Sequence, residues 1–264
     1  MKKLLIVLFA LFLLVGCGNK QEETVSQNQE AAPSKEIEEW EKELIEPKII
    51  YVGTSPDYPP FESLDDNNNI VGFDVDVFEA VVSKLDGYKV EWQPMEFDTI
   101  VSAVQTGTVD FGVSGFSYDP EKQVLFTDTY YDAGQTVLVL KDSGYKTVAD
   151  LKGKTIGVQL GTTCVDSAKE SIEDVNLVTG TDVGVLVNAL KQGQYDGVCL
   201  DSVVANNFVK SDSAFTVLDE ALISDAYCMI TASEKTKLMD KINSLLVEFV
   251  NSDEYTALID KWGM

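Results

Sequence analysis

The sequence predicts an α/β fold of two similar lobes joined by two hinge crossings, and three observations carry that prediction. Short β-rich runs alternate with helical patterns along the chain, as expected for helices layered on a largely parallel sheet. Two stretches align without gaps: "AVQTGTVDFGVS" (103–114) and "ALKQGQYDGVCL" (189–200) share Ala103/Ala189, Gly107/Gly193 and Asp110/Asp196. Two further β-rich stretches, 134–142 and 223–233, lead from the first half of the pattern to the second and back.

Taken in order, "KIIYVG" (48–53) reads as a strand. The following helix starts near Asp74 and sets Phe78, Val81, Val82 and Leu85 on one face at helical spacing. "YKVEWQ" (88–93) is the second strand, "DTIVSAVQTG" (98–107) a helix with Asp98 as its N-cap and Gly107 as its stop, and "VDFGVS" (109–114) the third strand. The pattern then restarts. "KTIGVQ" (154–159) is a strand running into "LGTTC" (160–164), which opens a helix; "VNLVTG" (175–180) is a strand, "TDVGVLVNALKQG" (181–193) a helix and "YDGVCLD" (195–201) a strand. The terminal helices present Ile242, Leu245, Leu246, Phe249 and Val250 on an apolar face that needs a lobe to pack on. The expected division is a first lobe from 48–136 and 226–264, with 137–225 as the second. Such a hinged pair leaves a cleft at the carboxyl ends of its strands.

The first residues address the compartment. Lys2 and Lys3 precede an apolar run from Leu4 to Val15, closed by Gly16-Cys17-Gly18. A charged start, a short apolar core and small residues at its end describe a secretory signal, here 1–16. The run is shorter than the roughly 20 residues of a membrane span. "LLVGC" resembles the bacterial lipobox, in which the cysteine is lipidated and becomes the mature N-terminus. The expectation is a chain anchored through Cys17 to the outer face of the bacterial cell membrane, two acyl chains sufficing where one does not. Residues 17–47 are polar apart from a short helical pattern around Ile37, Trp40, Leu44 and Ile45, and read as a tether. About 215 residues remain for folding, enough for one large or two small domains.

The formal net charge of −24, from 44 acidic residues against 20 lysines with no Arg or His, argues against nucleic acid and against anionic lipid headgroups. Cys164, Cys199 and Cys228 are widely spaced and fit no zinc pattern, so neither metal nor cofactor is expected. Cys199 and Cys228 read as small buried hydrophobes. From Glu91 to Leu140 a single cation, Lys122, stands among eight carboxylates.

Four stretches fall at the strand ends that would line the cleft: "TSPDYPPF" (54–61), "SGFSYDPEK" (114–122), "LGTTC" (160–164) and "LDS" (200–202). Ser114, Gly115 and Ser117 carry N–H and hydroxyl donors able to face an anion, with Lys122 to neutralise it. Gly161, Thr162 and Thr163 lead into a helix N-terminus, a second anion-favouring feature. Asp201, across the cleft, suits a cation, while Tyr58 and Phe97 offer aromatic faces. An anion site facing a carboxylate suits a zwitterion, which points to an amino acid.

These residues carry a resemblance. "YPPFESLDDNNNIVGFDVDVFEAV", "GTVDFGVSGFSYDPEK", "FTDTYYDAGQTVLV" and "VADLKGKTIGVQLGTT" follow the order and spacing of the polar amino-acid-binding solute receptors of ABC importers (extracellular solute-binding protein family 3), over about residues 48 to 264. The resemblance implies a periplasmic-binding-protein type II fold and ligand capture between lobes without chemistry. It also implies partnership with an ABC permease and its ATPase, and a monomeric receptor. It assigns the ligand α-carboxylate to Ser117 and Lys122, with Gly115 and Thr163 as backbone donors, and the α-amine to Asp201; Tyr58 and Phe97 would flank the ligand.

Two departures bear on the ligand. Lysine stands at 122 where the family has arginine, trading a bidentate fork for a point charge, and the segment from Lys122 to Phe126 is two residues shorter. Ser55 stands where receptors for basic ligands often carry aspartate, so an uncharged polar or small side chain is expected. Cys164, one residue past the Gly-Thr-Thr turn, reads equally as structural or as a ligand contact. Two other classes share the fold: a cyclohexadienyl-dehydratase-like enzyme, for which no His is present as general acid, and an amino acid sensor that does not transport.

Overall fold

The structure, a computed structural model, describes residues 48–264. The expected signal peptide (1–16), Cys17, the expected tether (17–47) and the short helical pattern near Trp40 lie outside the described residues. The first half comprises β1 (Ile49–Thr54), a small antiparallel unit of β2 (Asp57–Tyr58), β3 (Glu62–Leu64) and β4 (Ile70–Val71), then α1 (Phe73–Val82), β5 (Lys89–Pro94), α2 (Phe97–Gln105), β6 (Phe111–Ser117), β7 (Leu125–Phe126) and the long β8 (Tyr131–Leu140). The second comprises β9 (Thr155–Gln159), α3 (Cys164–Ser171), β10 (Asn176–Gly180), α4 (Val183–Lys191), β11 (Gly197–Asp201), α5 (Ser202–Ser211) and β12 (Phe215–Val217). The chain returns along β13 (Ile223–Thr231) and ends in α6 (Thr236–Val250) and α7 (Asp253–Trp262).

The main sheet runs β10-β9-β11-β8-β13-β6-β1-β5, and its two ends have the same plan. β1 lies parallel between β5 and β6, as β9 does between β10 and β11. β6 then pairs antiparallel with β13, and β11 with β8. The seam is the antiparallel pair β8–β13. Gln135 pairs with Asp201 on one side and Ile223 on the other, so β8 passes from one half-sheet to the other there. Tyr227 does the same for β13, facing Tyr131 and Ser117.

The aligned stretches occupy equivalent places. Gly107 and Gly193 end α2 and α4 at φ 71 and 69, a left-handed conformation that a Cβ disfavours. Asp110 donates its N–H to the Tyr51 carbonyl at 2.8 Å and accepts the Tyr51 N–H at 2.9 Å. Asp196 makes the same two bonds with Thr155, at 2.8 and 2.9 Å. Each aspartate thus ties the start of a strand to the parallel strand beside it, β1 or β9.

The core follows from the same periodicities. Phe73, Val77, Phe78 and Val81 of α1 are buried with Leu238, Ile242, Leu246 and Phe249 of α6, so the terminal helices close over the first lobe. Each such side chain contributes roughly 1.5–3 kcal/mol by leaving water. Val137, Val139, Ile156, Val158 and Cys199 fill the second lobe. One expectation fails: Asp98 is not the N-cap of α2. Glu96 holds that position without a side-chain capping bond, and the helix begins at Phe97, which is buried in a stack on Phe116 at 4.8 Å. Asp98 sits in the first turn, where its charge still complements the helix dipole.

Candidate functional site

The carboxyl ends of β1, β6, β9 and β11 converge on one cavity. Ser55, Tyr58, Phe97, Ser114, Gly115, Ser117, Lys122, Thr162, Thr163, Cys164 and Asp201 all line it, joined by Asp57, Glu62, Gln135, Gln159 and Gly161. The two halves meet over it. Tyr58 bonds to Asp201, Asp57 accepts from Gln159 and Val183, and Asn207 Nδ2 reaches the Pro59 carbonyl at 3.4 Å.

At one end stands Asp201. It occupies the N-cap position of α5, yet its side chain makes no capping bond. Its Oδ2 accepts the hydroxyls of Tyr58 at 2.8 Å and Tyr227 at 2.5 Å, and Tyr58 accepts its N–H at 2.9 Å. The other oxygen, Oδ1, is buried with no protein partner. Burial pushes the carboxyl up to about 6 against the lowering pull of the two tyrosine hydroxyls. A buried carboxylate with one oxygen unsatisfied is a receptor for a cation.

The opposite end differs from the sequence-based expectation. The Gly115 N–H is not available to an anion, because it donates to Asp74 Oδ2 at 3.0 Å. The Ser114 hydroxyl donates to Glu62 Oε1 at 2.6 Å and accepts the Ser55 N–H at 3.1 Å. Two buried carboxyl groups of the first lobe have taken these donors. Burial pushes Glu62 well above the carboxylate range, reinforced by the charge of Asp74, which burial raises to about 6. Burial and the neighbouring charge both favour the neutral form of Glu62. Ser117 and Thr163 line the cavity, and both hydroxyls donate to Asp225 Oδ2, at 2.6 and 3.3 Å. Lys122 lies in the cavity wall with its side chain 21% exposed, its Nζ 3.9 Å from Asp119 and 5.8 Å from the Phe116 ring centre. Burial lowers its pKa, and the charges of Asp119 and Asp225 oppose that shift.

A third polar group was not singled out from sequence. Asp57 Oδ1 accepts the Ser55 hydroxyl at 2.8 Å, and Oδ2 accepts Gln159 Nε2 at 2.9 Å and the Val183 N–H, at the start of α4, at 2.8 Å. Burial raises its pKa despite these bonds. Glu62, Gln135, Gln159, Asp225 and Tyr227 were likewise missed. Asp57 stood in "TSPDYPPF", and Gln135 and Asp225 in the two crossing stretches, but no spacing rule turns them inward. Thr162 Oγ1 bonds the Gln159 carbonyl at 2.8 Å and so supports the wall. Cys164 is both wall and core. A hydrogen bond with Cys199, with burial, pushes its thiol well up, so it stays neutral. Among the described residues no cluster of His, Cys, Asp or Glu is placed to hold a metal ion, and no helix is long and apolar enough to cross a membrane.

Comparison with known proteins agrees with this geometry. Residues 50–264 match the bacterial extracellular solute-binding proteins, family 3. The chain is similar to the arginine-binding extracellular protein ArtP of Bacillus subtilis (strain 168), 34% identical over 99% of this chain and 98% of that protein. It is similar to a probable histidine-binding protein of Campylobacter jejuni, 33% identical over 100% of both. Among solved structures it is similar to the substrate-binding protein of an amino acid ABC transporter, with a TM-score of 0.77 and 35% identity over 81% of this chain and 98% of that one.

Proposed function

The chain belongs to the bacterial extracellular solute-binding proteins, family 3, and from that premise we propose that it captures an amino acid with a cationic side chain, of the arginine kind. It is an extracytoplasmic receptor for an amino acid ABC transporter, with the two-lobed type II periplasmic-binding fold, and it binds its ligand without chemistry. In our reading Asp201 Oδ1 receives the α-ammonium, and Lys122, Ser117 and Thr163 receive the α-carboxylate. Tyr58 and Phe97 flank the ligand, and Ser55, Ser114, Gly115, Thr162 and Cys164 complete the wall. We divide the lobes at 48–136 with 226–264 against 137–225.

The charge count at the cavity carries the side-chain assignment. Asp201 and Lys122 match a zwitterion's two charges, and Asp57 adds a further carboxylate to the cavity lining. A cationic side chain would lie against it. Ser55 alone favours an uncharged polar or small ligand, but Asp57, two residues further on, places a carboxylate beside it. Besides Ser55, the competing uncharged reading has a second observation behind it: Asp57 already accepts three hydrogen bonds. The arginine-binding relative supports the cationic side.

A thermal-shift series with arginine, lysine, ornithine, glutamine, serine and glutamate tests this. At one common ligand concentration the stabilisation grows with the ratio of that concentration to Kd, reaching about 2.7 kcal/mol at 100 times Kd, so the order of the shifts is the order of affinity. Arginine or another cation should lead; a lead by glutamine or serine overturns the assignment. Anchoring through Cys17 rests on "LLVGC". Cys17→Ser should release the chain or leave it unprocessed and without lipid label. Retention of the variant on the membrane with another mature N-terminus contradicts it.

A further inference from the structure

The donors that our reading gives to the ligand's carboxylate already hold one. Asp225, on the returning strand β13, places Oδ2 2.6 Å from Ser117 Oγ, 3.3 Å from Thr163 Oγ1 and 3.3 Å from Gln135 Nε2. The three donors come from three places: Ser117 ends β6 of the first lobe, Thr163 precedes α3 of the second, and Gln135 lies on the crossing strand β8. Gln135 also donates to Thr163 at 2.6 Å, so the donors form a connected set around that oxygen. The second oxygen, Oδ1, is tied to the N–H of Ala226 at 2.7 Å, which fixes the carboxylate on its strand. The charge of Asp225 is felt by Lys122 on the cavity wall and by Asp201.

We propose that Asp225 is an internal stand-in for the α-carboxylate: it satisfies the carboxylate donors when the lobes close by themselves, and an incoming amino acid must displace it. The proposal rests on the receptor reading above. Ser117 in lobe one and Thr163 in lobe two are bridged by Asp225 as the ligand's carboxylate would bridge them. Closure by this route leaves the donors occupied and Lys122 facing a second anion. Apparent affinity is the intrinsic affinity reduced by the fraction of receptor whose donors are free. A carboxylate held by charge-assisted bonds keeps that fraction low, on the order of a tenth. Asp225 then sets a threshold: amino acids at low concentration do not displace it, and the same factor applies to every α-amino acid because all share the group it imitates.

Calorimetry on the full chain, with arginine and glutamine as probes, tests the proposal through Asp225→Ala and Asp225→Asn. Asp225→Ala should bind both probes about tenfold more tightly. Asp225→Asn, which keeps the shape without the charge, should gain about threefold. In solution scattering without amino acid, the Ala variant should have the larger radius of gyration. Unchanged or weaker binding in both variants overturns the proposal, since a purely structural role gives no gain. Should the Ala variant fail to fold, the Asn variant decides alone: tighter binding supports, equal or weaker binding refutes. Failure of the wild-type chain to bind any amino acid sinks the receptor reading and this inference together, whereas wild-type binding without a gain sinks this inference only.

Discussion

Tyr58 and Asp201 exchange two hydrogen bonds across the cleft: the tyrosine hydroxyl donates to the carboxylate at 2.8 Å and accepts the aspartate's own backbone N–H at 2.9 Å. The first lobe thus reaches the residue to which our reading gives the α-ammonium, and in that reading closing the lobes and preparing the amine site are one event. Tyr58→Phe should leave that N–H unpaired, open the lobes and weaken every ligand by about tenfold, at roughly 1–2 kcal/mol for the lost bonds. Scattering for shape and calorimetry for affinity read both effects, and unchanged affinity would show that Tyr58 only packs.

Affinity should fall in acid. Asp201 titrates at about 6 in the folded chain against an ordinary 3.8, because burial favours its neutral form. Without amino acid, its contribution to stability is fully present below about 4 and lost as pH rises through about 6. An α-ammonium needs the ionised form, so binding moves the other way. It should be about tenfold weaker at pH 5 than at pH 8 and should release a proton at the lower pH. Calorimetry in buffers of different ionisation heat counts that proton; a flat profile removes Asp201 from the amine site.

Lys122→Ala should weaken arginine, lysine and glutamine by a common factor of roughly 10 to 100, since it removes the cation from the shared carboxylate. A loss confined to one ligand would place Lys122 at the side chain instead.

Asp57→Asn should separate ligands. Arginine and lysine lose a charge partner and should weaken about tenfold, while glutamine should change little. Titrations of both kinds check this, and equal losses would reduce Asp57 to a tie between lobes.

Gly107→Ala and Gly193→Ala should each cost about 1 kcal/mol by chemical denaturation, because a Cβ is strained at positive φ while neither site has a neighbour within 4 Å to clash with. A much larger loss at one alone would mean that the two turns are not equivalent.

The fold was legible wherever local pattern decides it. Gly107/Gly193 and Asp110/Asp196 stood out in sequence, and each pair does the same work in its half of the sheet. The gathering of eleven residues around one cavity followed from strand ends that converge. Which of their donors point inward was not legible, because partners far along the chain decide it. Gly115 is claimed by Asp74 from 41 residues away, Ser114 by Glu62 from 52, and Ser117 by Asp225 from 108. Asp57 hid for the same reason, its partner Val183 being 126 residues distant. The misplaced cap at Asp98 has a different cause: the burial of Phe97 outweighed a local capping preference.

The return of β13 also orders the making of the protein. β6 emerges from synthesis and export well before its neighbour β13, and α1 before α6 and α7, which cover it. The middle of the chain, by contrast, holds β9, β10 and β11 together with the crossing strand β8 that pairs with β11, and can assemble while the C-terminus is still being made. A chain truncated after β12 would present β6 with a bare edge and α1 with an uncovered apolar face. Quality control outside the cytoplasm therefore meets a half-folded first lobe until the last forty or so residues arrive.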